Sequence, residues 1–155
     1  MTAWLHRAGL AGLLLAAYLW AWTPARTAWT DGSAALLTRA APTEVDVTAR
    51  PAAHTIRLSG ADASEARYTA PAGIKFLLPG LFLLLIGPAR PRLWAFFAGH
   101  LGLGALALGL TAAGLAGLPG GLGLAGFVQT YGVDAYSLAV PVFVFARRKR
   151  GWNRE

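Results

Sequence analysis

No cysteine occurs among the 155 residues, and acidic side chains number only seven. Without cysteine there is no disulfide framework, no thiol nucleophile and no cysteine-based zinc or iron–sulfur site. Charged residues make up 14% of the chain, against about 25% in an average soluble protein. The chain also lacks catalytic signatures. It has no His-Glu-x-x-His, no phosphate-binding glycine loop and no Gly-x-Ser-x-Gly. The glycines between Gly99 and Gly126 sit inside apolar runs rather than after a strand, so they do not read as a dinucleotide fingerprint. A Ser/His/Asp triad would have to use Ser137, His100 and Asp134. Ser137 and Asp134 are one turn apart on one helix, which leaves poor room for a base between them. No catalytic residue, metal or cofactor is expected, and the chain does not read as an enzyme.

What is present is apolar surface: 55% of the residues are hydrophobic. Uninterrupted apolar runs of this extent suit a bilayer, where the backbone must satisfy its own hydrogen bonds. Two segments, 93–117 and 122–146, are joined by Leu118-Pro119-Gly120-Gly121. Each exceeds the roughly 20 helical residues that cross a hydrocarbon core of about 30 Å. The second runs into Arg147-Arg148-Lys149-Arg150. The formal net charge is +7, and five of the fourteen basic residues fall in the last nine positions. That placement follows the positive-inside rule and needs no nucleic acid. Arg90, Arg92, Arg147, Arg148, Lys149 and Arg150 are expected to anchor the protein to anionic headgroups at the cytoplasmic face.

Before this pair, residues 5–22 read as a first span, with Arg7 at the inner side and Tyr18, Trp20 and Trp22 as an aromatic belt at the outer side. A signal peptide with a site at Thr23-Pro24-Ala25 competes. Three aromatics directly before that site suit an interface better than a peptidase. Residues 23–70 form the long polar stretch, expected outside the cytoplasm. Asp31-Gly32-Ser33 suggests a turn and cap before a short helix at Ala34–Arg39. Val45–Thr48 and His54–Leu58 alternate apolar and polar, so a hairpin across Arg50–Ala53 is expected. Residues 71–88 are the weakest span, with a short continuous apolar part interrupted by Pro79 and with Lys75 able to snorkel outward. A re-entrant segment is the alternative there. The expected architecture is one all-α membrane domain of about four helices, with a partly β outer loop, a cytoplasmic tail at 147–155 and both termini inside.

Inside the pair lie polar residues. Gln129, Thr130, Tyr131, Asp134 and Ser137 interrupt the last span, and His100 lies in the one before. Ionisable groups at membrane depth turn away from lipid and mark either a polar lock or a proton or ion path. Here the lock is favoured, with Asp134 accepting or donating a hydrogen bond with His100, Tyr131 or a partner. A small proton- or ion-coupled transporter using His100 and Asp134 is the alternative. Ala105, Gly109, Ala113 and Gly117 recur every four residues and make a small-residue face suited to close helix packing.

The segment Ala72-Gly73-Ile74-Lys75-Phe76-Leu77-Leu78-Pro79 opens a span. A His-bearing span follows, then a last helix ending Ser137-Leu138-Ala139-Val140-Pro141-Val142-Phe143-Val144-Phe145-Ala146 before a basic tail. From Tyr68 to Ala146 this order resembles the small accessory membrane proteins encoded beside exosortases in bacteria. The resemblance implies a non-catalytic inner-membrane partner of a protein-sorting enzyme. Lipid and other membrane subunits are the partners expected; nucleic acid is not.

Overall fold

The computed structural model describes residues 2–60, 65–86 and 90–152. Helix dominates, with one small antiparallel sheet. The chain opens with α1 (Thr2–Ala17), a π-helical turn at Tyr18–Trp22, and α2 (Thr23–Ala40). No break separates them, and Trp4–Ala40 forms one helix of 37 residues, about 55 Å long at 1.5 Å per residue.

The sequence expectation of a loop from residue 23 is therefore corrected: the first 18 of those residues are helix. Thr23-Pro24 does not stop the helix, because the wide π turn accommodates it. The Thr23 amide donates to Tyr18 O, and the Thr23 hydroxyl donates to the same carbonyl at 3.1 Å. Proline in the first turn after such a widening removes a donor that has little use there. Asp31-Gly32-Ser33 is likewise helical rather than a turn. Thr30, Ser33 and Leu37 are buried along one face of α2, and that burial outweighs the local turn preference.

Three strands follow: β1 (Asp46–Arg50), β2 (Thr55–Ser59) and β3 (Glu65–Thr69), paired antiparallel in the order β1-β2-β3. Ala49 faces Ile56 and Val47 faces Leu58, while Ile56 faces Tyr68 and Leu58 faces Ala66. Alternation sends Val47, Ile56, Leu58, Ala66 and Tyr68 inward, where they join Leu37 of α2 in one core. The first two strands match the expected hairpin. The third is an addition that the sequence reading left in the loop.

Next come α3 (Ile74–Ile86), α4 (Arg90–Leu115), α5 (Gly121–Phe127), a second π-helical turn at Val128–Gly132, and α6 (Val133–Trp152). The turn between α4 and α5 uses left-handed backbone at Gly117 and Gly120, where a side chain would be strained. Gly114 and Gly121 then bring the two helices into backbone contact: a Cβ on Gly121 would sit 2.7 Å from Gly114 Cα.

Two layers result. In the helical layer α1 and α3 run antiparallel, with Arg7 donating to Leu85 O at one end and Trp22 Nε1 to Ala72 O at the other. Phe76, Leu83 and Phe96 form its buried centre, with Val140 of α6 packed beside them. The cap is made of α2, the sheet and α5. Helix α4 threads both layers, placing Phe96 in one core and Ala107 and Leu115 in the other. Two helices are long and apolar enough to cross a membrane, Trp4–Ala40 and Arg92–Leu115, while Ile74–Leu85 is apolar but shorter. The last helix continues through Arg147–Arg150. The side chains of Arg90 and of Arg147, Arg148, Lys149 and Arg150 lie outside those described; Arg92 is exposed.

Candidate functional site

The junction of the two layers holds a cleft of about 590 Å³. Its floor is the connection from β3 to α3. There Ala72 adopts a left-handed φ of 52°, a conformation that costs a non-glycine residue roughly 1–3 kcal/mol and persists only when its surroundings impose it. Three successive carbonyls supply the constraint. Arg26 on α2 donates from Nη2 to Ala70 O at 3.0 Å and from Nε to Pro71 O at 3.1 Å, and Trp22 donates to Ala72 O. Gly73 is required beneath them, because a Cβ there would touch the Arg26 guanidinium at 3.0 Å. Above the floor, Tyr68 fastens the cap to α4: Trp29 Nε1 donates to its hydroxyl at 2.9 Å, and that hydroxyl donates to Gly104 O at 3.3 Å.

Both π-helical turns contribute to this cleft, the first through Tyr18 and the second through Gln129 and Thr130. A π turn rotates the following side chains out of α-helical register, and such turns are frequent at functional sites. Gln129 has a defined task. Its Oε1 accepts from the Thr69 amide at 2.9 Å, capping the outer edge of β3 and leaving its NH₂ to donate elsewhere.

The cleft is electropositive. Arg26, Arg67 and Lys75 line it, and among the described residues no carboxylate does. Lys75 pairs with Asp134 at 2.6 Å, with both side chains about half exposed. Arg57 pairs with Glu65 at 3.2 Å. Those two are the ion pairs among the described residues, so neither Arg26 nor Arg67 has a carboxylate partner there. Arg26 is only 8% exposed. Burial pulls its guanidinium below the ordinary arginine range, while the neighbouring Tyr18 partly opposes the shift.

The expected bond between His100 and Asp134 does not form. His100, 2% exposed, lies 3.2 Å from Ser137 Oγ. The Ser137 hydroxyl already donates its one proton to Val133 O at 2.7 Å, so it accepts from His100 Nε2. Phe96, Tyr136 and Phe76 then enclose the imidazole edge-on, with centroids 4.9, 5.5 and 5.6 Å away. Asp134 instead turns to Lys75. Counting along the helices puts His100 roughly 10 Å and Asp134 roughly 18 Å from their inner ends and does not choose between partners; a lysine at the start of α3 was read only as a snorkelling group. Tyr131 is exposed and packs on Phe127 rather than on Asp134.

No protein-family model, curated protein or solved structure matches the chain.

The small-residue ladder points away from the packed side of its helix. Ala105, Gly109 and Gly117 are exposed and Ala113 is half-buried, and a Cβ on Gly109 or Gly117 would meet nothing within 4 Å. Packing within the chain falls to a neighbouring stripe: Gly104 against the Pro71 ring, buried Ala107 and Thr111, and Gly114 against Gly121. The four-residue spacing was legible; which of two adjacent glycine stripes faces inward was not. Among the described residues no three His, Asp or Glu side chains gather as a metal site would require.

Proposed function

We propose that the protein is a small polytopic component of the bacterial inner membrane that serves as a non-catalytic accessory or assembly subunit of a larger membrane complex. In this reading four helices cross the bilayer: α1, α3, α4 and α6 with its preceding turn. The cap and its cleft face outward and both termini lie in the cytoplasm. The aromatic residues Tyr18, Trp20 and Trp22 sit where α1 leaves the helical layer, as interface anchors do. Large apolar side chains such as Leu13, Leu78, Phe82 and Leu138 are exposed around that layer, as lipid contact requires.

The observation that carries the accessory role is the outer half of the α4–α5 hairpin. At the level where one flank carries the hydrophilic sheet, Leu106, Leu124 and Phe127 are exposed, as are Ala105 and Gly109, and Ala113 is half-buried. Apolar surface with a smooth glycine stripe, lying beyond a layer only about 22 Å deep between Arg7 and Trp22, suits a helix of another subunit. An exosortase-type sorting system is the candidate complex, through the resemblance of residues 68–146.

The transporter reading is the weaker one. His100 is spent on Ser137 and walled by aromatic rings, and Asp134 is spent on Lys75. Beneath them Phe76, Phe96 and Phe97 close the layer. Mild-detergent purification followed by native mass spectrometry tests the proposal. Co-purification of another membrane protein, weakened by Gly109→Leu, is expected. A partnerless monomer, or ion flux in vesicles that Asp134→Asn abolishes, would overturn it.

A further inference from the structure

A second cavity shares one wall residue with the cleft. It is an apolar groove of about 420 Å³ between α1, α3 and α4, with Leu10, Leu14, Ala17, Phe76, Trp94 and Phe97 in its wall. Almost none of its surface is polar. Tyr18, in the first π-helical turn, lines both the polar cleft and the apolar groove. Each has a volume in the range of ordinary ligand sites, about 300–1,000 Å³.

We propose that cleft and groove form one site for an anionic, phosphate-bearing lipid, with the headgroup in the cleft and an acyl chain in the groove. Charge selects the headgroup. Arg26 is a buried cation with no carboxylate partner among the described residues. Its Nε and Nη2 donors are committed to the floor carbonyls, so it acts on a ligand as fixed positive charge. Arg67 is in the same position for a different reason. It stands directly opposite Arg57 in the β2–β3 ladder, a like-charge pairing that destabilises a sheet, and Glu65 pairs with Arg57 instead. A phosphate beside Arg67 would supply the missing counter-charge. The Gln129 NH₂ and the Thr130 hydroxyl add neutral donors at the same wall. A zwitterionic choline headgroup would bring its own cation toward these two arginines and gain little.

The groove decides between a lipid and a free anion. Inorganic phosphate would use the cleft alone and leave the groove to bulk lipid. A tethered chain occupies both, and its headgroup is held at the concentration that the tether sets. The inference rests on placing the α1–α3 layer in the bilayer but not on the accessory role. Labelling of single cysteines tests that placement separately, so the two can fail independently.

The test is a titration of the purified full-length protein in mild detergent, followed by native mass spectrometry, with three probes: dioleoyl phosphatidic acid, dioleoyl phosphatidylcholine and inorganic phosphate. One phosphatidic acid per chain, bound at least about tenfold more tightly than phosphatidylcholine, is expected from the charge of the cleft. Arg67→Gln, whose side chain holds nothing in the fold, should reduce that preference by about fivefold or more, and Arg67→Lys should retain most of it. Ala17→Trp, which fills the exposed groove, should weaken phosphatidic acid by about tenfold or more while leaving inorganic phosphate unchanged. Circular dichroism melts establish that both variants fold as the parent does; a variant that does not is replaced by Thr130→Val for the cleft or Leu10→Trp for the groove. Equal binding of the two lipids overturns the proposal. So does inorganic phosphate binding as tightly as phosphatidic acid with Ala17→Trp silent, which would leave a simple anion site.

Discussion

In the cap, large apolar side chains point inward: Leu37, Ile56, Leu58 and Tyr68 are buried, while Asp46, Thr48, Glu65, Arg67 and Thr69 occupy the outer face of the sheet. In the helical layer the outside is apolar as well, with Leu13, Leu19, Leu78, Phe82, Leu138 and Val142 exposed, and the polar residues His100 and Ser137 lie within. The sheet thus has a polar outer face and the helical layer an apolar one. The halves are joined through the Trp4–Ala40 helix, α4 and the α5–α6 helix, and they meet at the Arg26–Tyr68 seam, where the polar cleft opens. Among the described residues, cationic side chains, strained backbone and both π turns converge at this seam.

If the two halves have separate cores, damage to one should leave the other standing. Phe96→Ala removes the ring stacked on Phe76 and Tyr136 and should cost about 3–5 kcal/mol. Hydrogen exchange should then speed up in α3 and α6 while the β2 amides keep their protection. Ile56→Ala, at about 2–5 kcal/mol, should do the reverse. Joint loss of protection in both halves from either variant would make the chain one cooperative unit.

The seam is expected to be the next most sensitive place. Gly104→Ala drives a methyl group into the Pro71 ring, and overpacking of this kind costs about 1–3 kcal/mol. Gly109→Ala, one stripe away and facing nothing in the chain, should instead be neutral or stabilising by up to about 1 kcal/mol through helix propensity. Thermal melts of the two variants in the same detergent give the contrast, and equal losses would contradict the assignment of the inward stripe.

Within the helical layer, Ser137→Ala strands the His100 ring without its acceptor and should cost about 1–3 kcal/mol. Asp134→Asn, which breaks a half-exposed pair with Lys75, should cost under about 1 kcal/mol. A ranking in which Asp134 outweighs Ser137 would restore the expectation that Asp134 is the polar lock.

Acid should affect the cap. His54 Nδ1 is buried with no hydrogen-bond partner among the described residues, and burial together with the nearby Arg26 lowers its pKa below the ordinary value of 6.5. The folded state therefore disfavours protonated His54. Its contribution is complete above about pH 6.5, the unfolded value, and is lost as pH falls from there toward the depressed folded value. His54→Gln should flatten that part of the cap's pH–stability profile.

How much of this was legible in the sequence follows from the same division. Strand alternation identified the β1–β2 hairpin because Val47, Ile56 and Leu58 announce an inner face. Strand β3 has the same alternation in Glu65-Ala66-Arg67-Tyr68-Thr69, but with one small and one aromatic inward residue its signal is faint. The helical extension through Thr23-Pro24 and Asp31-Gly32-Ser33 was hidden, because a π turn absorbs the first and tertiary burial overrides the second. Helical spacing placed Asp134 and Ser137 one turn apart on one helix. Choosing His100–Ser137 and Lys75–Asp134 needed the position of α3, which no local pattern encodes.

The central claim is that the solvent boundary lies at the seam, with the cap outside the cell membrane and the helical layer within it. The absence of cysteine from the whole chain makes that claim directly testable by labelling single introduced cysteines in intact cells with a membrane-impermeant maleimide. Thr48→Cys, on the outer face of the sheet, should label from outside. Leu78→Cys, 61% exposed on α3, should label neither before nor after permeabilisation. Labelling of Leu78→Cys by aqueous reagent, or of Thr48→Cys only after the membrane is opened, would contradict the account.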